Sequence, residues 1–144
     1  MEWYVNLVIV AAMGTLGWVV LECIGRPIRG FFDLRREVRQ QLLLLTNVSP
    51  PKPRETASTS REIQEYDEAL KASREAQRIL LDLGSRMLAF GESEVAARKV
   101  ISPFGFDAVG AGRGLVALSN TYDRYGTDRA DLRELIEKSL RFEQ

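Results

Sequence analysis

The residues whose types could do chemistry form a few small groups, and each is only part of a site. Gly110-Ala111-Gly112-Arg113-Gly114 has the glycine density of a loop that cradles phosphate on backbone amides. Its spacing matches neither G-x-G-x-x-G nor G-x4-G-K-[ST], and no strand pattern precedes it. Close helix–helix approach at small residues is the better account. Asp123, Asp128 and Asp131 flank a loop around Gly126, but the intervening residues do not reproduce a calcium loop. As helix caps and solvated charges these acids need no ion. Cys23 sits just past an apolar run, at what would be the inner interface of a membrane, where reversible acylation is chemically conceivable; a buried, inert thiol is the simpler expectation. Glu22 sits next to it, with Arg26 four residues on as its natural partner. A carboxylate so close to water is poorly placed to carry protons across a membrane. The chain has no histidine, which excludes Ser-His-Asp and Cys-His catalysis and every metal site that needs imidazole. An enzyme using carboxylates alone would need paired acids with displaced titration in a pocket. The expectation is a non-catalytic protein with no cofactor, no metal and no small-molecule substrate.

The element that must position the rest is the stretch Trp3 to Gly25. Its central run from Leu7 to Leu21 carries no charged side chain. Roughly 20 apolar residues cross a hydrocarbon core at about 1.5 Å per residue, so residues 1–25 read as one transmembrane anchor. Trp3 and Tyr4 at one end and Trp18 nearer the other suit the interfacial aromatic belts. A cleaved signal peptide would show a basic leading region and a small-residue cleavage site, and neither is present. Glu22 before Cys23 is wrong for a lipoprotein signal. Ala11, Gly14 and Gly17 recur at steps of three and share one helix face, where small residues let another transmembrane helix approach closely. The competing reading is a lipid-facing helix that simply tolerates glycine.

Charge orients the anchor. Residues 26–54 hold Arg26, Arg29, Arg35, Arg36, Arg39, Lys52 and Arg54 against Asp33 and Glu37, net +5, whereas no Lys or Arg precedes the span. The positive-inside rule puts the N-terminus outside and the remainder in the cytoplasm. Residues 55–144 are net −3, which argues against nucleic-acid binding. A single cysteine allows no intrachain disulfide, in keeping with a reducing compartment.

Beyond the anchor, Phe31, Leu34, Val38, Leu42, Leu45 and Val48 recur every three or four residues, so residues 26–48 read as a basic juxtamembrane amphipathic helix. Pro27 and Gly30 allow a bend above it. Its stripe faces either its own domain, lipid or a partner. Arg26, Arg29, Arg35, Arg36 and Arg39, with Trp3, Tyr4 and Trp18, are the candidate headgroup or neck contacts. The unbroken run Leu42 to Leu45 suggests burial on more than one side. Residues 49–59 form a Pro-rich linker; Pro50 and Pro53 have PxxP spacing, but a stiff connector is the plainer reading. Residues 60–144 read as a soluble helical domain. Thr59-Ser60-Arg61-Glu62 is a capping box opening a helix to about Phe90 with a stripe of Ile63, Tyr66, Leu70, Ala76, Leu80, Leu83, Met87 and Phe90. Ala76 and Ser73 interrupt that stripe and favour an internal hairpin over an intermolecular coiled coil. Shorter helices are expected over about 93–101, 107–125 and 129–142, separated by Pro103-Phe104-Gly105 and by Gly126, with Asp107 and Thr127 or Asp128 as caps. Leu115, Leu118, Tyr122 and Tyr125 mark one apolar face, and Leu132, Leu135, Ile136 and Leu140 another. No stretch alternates with period two for long enough to be a strand. The fold class is all-α: one N-terminal transmembrane helix, a basic amphipathic helix and a small cytoplasmic helical bundle.

Phe32 to Val48, Arg86-Met87-Leu88-Ala89-Phe90, and Gly105-Phe106-Asp107 through Gly112-Arg113-Gly114-Leu115 to Leu118-Ser119-Asn120-Thr121 cover about half the chain. In these segments it resembles a class of short, uncharacterised bacterial membrane proteins with one N-terminal span and a cytoplasmic helical region. The resemblance implies a bacterial inner-membrane location and no catalytic chemistry. The expectation is a single-pass accessory or scaffold subunit of a larger membrane complex, with other transmembrane helices and anionic lipid as partners. The alternative is a self-associating, membrane-anchored adaptor that recruits a soluble cytoplasmic protein.

Overall fold

A computed structural model describes residues 2–48, 59–122, 124 and 129–142. The Pro-rich stretch 49–58 lies outside them, as do Asp123, Tyr125, Gly126, Thr127 and Asp128, and with them the expected caps around Gly126. The described residues are all helix and connection. In chain order they are α1 (Glu2–Val20), a π-helical turn (Leu21–Gly25), α2 (Arg26–Leu44) closed by a 3-10 turn (Leu45–Asn47), and α3 (Ser60–Ser93). Then come α4 (Val95–Ile101) with a 3-10 turn (Ser102–Phe104), α5 (Ala108–Ser119) and α6 (Ala130–Leu140).

The span and the amphipathic helix are one continuous helix, Trp3–Asn47. The bend expected at Pro27 and Gly30 is replaced by the π turn. Proline has no N–H, and its ring collides with the carbonyl four residues back. Widening the helix just before it relieves that conflict, and Arg26 N–H reaches back five residues to the Leu21 carbonyl. Among the described residues this is the one helix long and apolar enough to cross a membrane, and none of them buries its apolar window.

The α2 stripe packs inward. Phe31, Leu34, Val38, Leu42 and Leu45 join Ala76, Leu80, Leu83 and Met87 of α3, Ala108, Ala111, Leu115 and Leu118 of α5, Tyr122, and Ile136 and Leu140 of α6 in one core. Each large side chain buried this way contributes about 1.5–3 kcal/mol before entropy is counted. The segments 26–48 and 60–142 therefore share one core, and the stripe faces its own domain rather than lipid. The four-leucine run is corrected: Leu42 and Leu45 are buried, but Leu43 and Leu44 are 68% and 62% exposed. Consecutive helical residues point about 100° apart, so a single stripe cannot take all four.

The capping box at Thr59 and Glu62 starts α3. Its buried face is Ser73, Ala76, Leu80, Leu83, Gly84, Met87 and Gly91; Ile63 stays exposed. The two residues that interrupt a coiled-coil seam are thus core residues, and Ser73 Oγ donates to the Tyr122 carbonyl. α3 runs antiparallel to α2. Tyr122 Oη donates to Leu45 O at 3.2 Å at the lower end, Arg86 pairs with Glu37 at 2.9 Å midway, and the Phe90 and Phe31 rings meet at 5.2 Å above. Asp107 caps α5 by accepting from Gly110 N–H at 2.9 Å, and Gly105 takes the left-handed conformation that lets the chain turn into it. α5 ends at Ser119, earlier than its apolar pattern suggested; Tyr122 is still buried beyond it, in a turn. On α6, Ile136 and Leu140 are buried and Leu135 is exposed.

Candidate functional site

The candidate site is the neck where the apolar span meets the bundle. Its floor is the π turn. Arg26 Nη1 donates to Glu22 Oε1 at 2.7 Å, with both side chains well exposed. The expected partnership is therefore formed, and it occupies the carboxylate. Glu22, Cys23, Arg26, Pro27 and Glu94 line a shallow, open groove of about 470 Å³. Cys23 is exposed rather than buried and opens onto this groove. The groove has neither the enclosure nor the convergent polar groups of a small-molecule site.

The basic residues divide into two sets. Arg26, Arg29 and Arg36 are exposed. Arg35 is turned inward instead: Nε donates to Leu140 O at 2.7 Å and Nη2 to Arg141 O at 2.8 Å. Its guanidinium also lies 5.6 Å from the Phe106 ring centre and 5.1 Å from that of Phe142. Arg39 stands 5.8 Å from the same Phe142 ring. Of the five arginines expected at headgroups, Arg35 thus closes the bundle around the end of α6, while Arg39 stays exposed like the other three. At the opposite end, Arg133 Nη2 donates to Leu42 O and, at 2.6 Å, to Thr46 Oγ1. Arg129 reaches Thr121 O at 3.1 Å and stacks 3.9 Å over Tyr122. Each cation meets the carbonyl end of a helix, where orphan acceptors and the negative end of the dipole lie. The sequence carried only a faint sign of this: Arg129 and Arg133 are four apart on one helical face.

On the span, Trp3, Tyr4 and Trp18 are exposed, and the Trp3 and Tyr4 rings are 3.6 Å apart. Ala11 is exposed, and a Cβ built on Gly14 or Gly17 meets nothing within 4 Å. The small-residue face is open.

The glycine-rich segment is interior to α5. A Cβ on Gly112 would come within 2.8 Å of Leu88 Cγ and 3.1 Å of Gly84 O, and one on Gly84 within 2.8 Å of Val116 Cγ2. Gly114 meets Ile136 of α6 in the same way. These glycines set the close approach of α3, α5 and α6; amides inside a helix are already bonded four residues back, and the first-turn Gly110 N–H is taken by Asp107 Oδ1, so the segment offers a phosphate nothing. Among the described residues no three acidic or thiol side chains converge on a possible metal position; Asp123 and Asp128 lie outside them, and Asp131 is exposed.

Compared with known proteins, the chain matches no family model, no curated protein and no solved structure.

Proposed function

We propose that this protein is a non-catalytic, single-pass subunit of a bacterial inner-membrane complex, with its N-terminus outside and its helical bundle on the cytoplasmic face. The observation that carries the reading is the contrast between the two halves of the Trp3–Asn47 helix. Below Gly25 its apolar face fills a core. Above it, Leu7, Val8, Val10, Met13 and Leu16 are exposed, and none of the apolar window is buried among the described residues. A surface of that size and apolarity needs lipid or protein around it. The open face of Ala11, Gly14 and Gly17 supports a docking helix from another subunit. Arg26, Arg29 and Arg36 support the inward orientation of the bundle and a contact with anionic lipid.

Extraction from the native membrane in mild detergent, native-gel separation and mass spectrometry of the co-migrating band test this. A large assembly of fixed stoichiometry is expected. Migration as a monomer sinks the subunit role; migration as a small homo-oligomer turns the reading to the self-associating adaptor.

A further inference from the structure

The antiparallel register of α2 and α3 fixes where α3 ends. Arg86 is level with Glu37, Phe90 with Phe31, and Glu94 lies beside Glu22, Cys23 and Arg26 at the π turn. The chain then turns over the top of the bundle through α4 before α5 descends, with Val109 packed on Gly91. α4 therefore forms the end of the bundle nearest the span and packs against the π turn. It keeps Ala97 and Ile101 for the core. Its other face is apolar and uncovered: Val95 is 44%, Val100 41% and, in the turn that follows, Phe104 63% exposed. Exposed Lys99 stands among them, and Arg98 is drawn inward by a 2.8 Å bond to Gly91 O.

We propose that α4 and its 3-10 turn are a second membrane contact, a foot that seats Val95, Val100 and Phe104 in the headgroup layer of the leaflet the span enters. The argument is continuity. The lipid-facing surface of the span runs down to Leu21, which is itself exposed, and α4 abuts the turn that begins there. From Tyr4 to Ile24 is about 30 Å of helix, one hydrocarbon thickness, so α4 falls at headgroup depth. Valine, phenylalanine and lysine on one exposed face suit that layer, apolar groups inward and ammonium on lipid phosphate. The inference rests on the anchor reading above.

Single cysteines at Val95→Cys, Val100→Cys and Phe104→Cys in a Cys23→Ser background, labelled with bimane, test it in phosphatidylethanolamine–phosphatidylglycerol vesicles. Leu16→Cys reports the span, and Leu43→Cys reports the far end of α2, about 27 Å below the π turn. The quencher is a phospholipid carrying a nitroxide near its glycerol for the foot, or at mid-chain for Leu16. Quenching at Val95 and Val100 several-fold above that at Leu43 is expected. Quenching at Leu16 with Val95 and Val100 no better than Leu43 overturns the foot and leaves the anchor standing. Labels at Val95 and Val100 shielded from aqueous iodide but untouched by lipid quencher also overturn it, since a protein then covers the patch. Loss of quenching at Leu16 as well overturns both readings.

Discussion

Arg35 Nε donates to the carbonyl of Leu140 at 2.7 Å, joining residues 105 positions apart in the chain. Arg133 of α6 returns the contact by donating to Leu42 O of α2. Each helix thus caps the carbonyl end of the other through a long arginine side chain. The fold closes on these two clasps as well as on its core.

Replacing Arg35 with methionine keeps most of the apolar stem and deletes the clasp. Charge-assisted bonds to partly buried carbonyls are worth about 1.5–3 kcal/mol. Arg35→Met is expected to lower bundle stability by about that amount in urea unfolding of the full chain in micelles. Arg35→Lys should recover little, because one ammonium cannot reproduce a fork over two carbonyls and two rings. Stability equal to the parent in Arg35→Met would remove the clasp from the account.

The glycines divide by what surrounds them. Gly112→Ala places a methyl against Leu88 and backbone of Gly84, and overpacking of this kind costs about 1–3 kcal/mol. Gly30 has nothing within 4 Å of a built Cβ, so Gly30→Ala should stabilise by about 0.5–1 kcal/mol through helix propensity. Thermal unfolding of the pair should shift in opposite directions. A Gly112→Ala midpoint that rose with that of Gly30→Ala would mean the close approach of α3 and α5 is not tight.

Gly14→Leu and Gly17→Leu fill the open face of the span without touching the bundle. The expected result is loss of the native assembly on gels, with the unfolding midpoint of the bundle unchanged. An intact assembly would show that this face meets lipid.

Glu37→Gln breaks the pair with Arg86, whose partners are about half exposed, so the cost should stay below about 1 kcal/mol and shrink in salt. The hydrogen bond that Arg86 donates to Glu37 raises the Arg86 pKa above its ordinary value, against a smaller cost of desolvation. A base raised on folding stabilises the fold below its unfolded pKa and loses that contribution as pH climbs through the folded value. For arginine both lie above ordinary buffers, and the chain has no histidine, so a stability profile flat from about pH 6 to 8 is expected. A sigmoid in that window would reveal a titrating group this account lacks.

The stripes from Phe31 to Leu45 and from Ala76 to Met87, the caps at Thr59 and Asp107 and the break at Gly105 were legible because each depends on local spacing or a single side-chain bond. What faces the Phe31 stripe was not, since periodicity marks an apolar face without naming its neighbour. The π turn was half visible: Pro27 announced a conflict, and the sequence pattern offered a bend where the backbone widens instead. Arg35 reads like Arg36 in the sequence and differs only by 100° of rotation, which turns one to Leu140 and the other to solvent. Where α4 stands depended on the register of α3 along α2, a relation between distant segments that no local pattern carries.

The continuity of Trp3–Asn47 has a mechanical consequence. Forty-five residues of unbroken helix make a shaft of about 68 Å. Its lower part is keyed into the core by Phe31, Val38 and Leu42. A flexible tether would absorb any movement of the span, but a shaft passes it on. In the proposed complex, a subunit that tilted or rotated the upper half would turn the bundle with it, and a load on the bundle would be felt at that subunit.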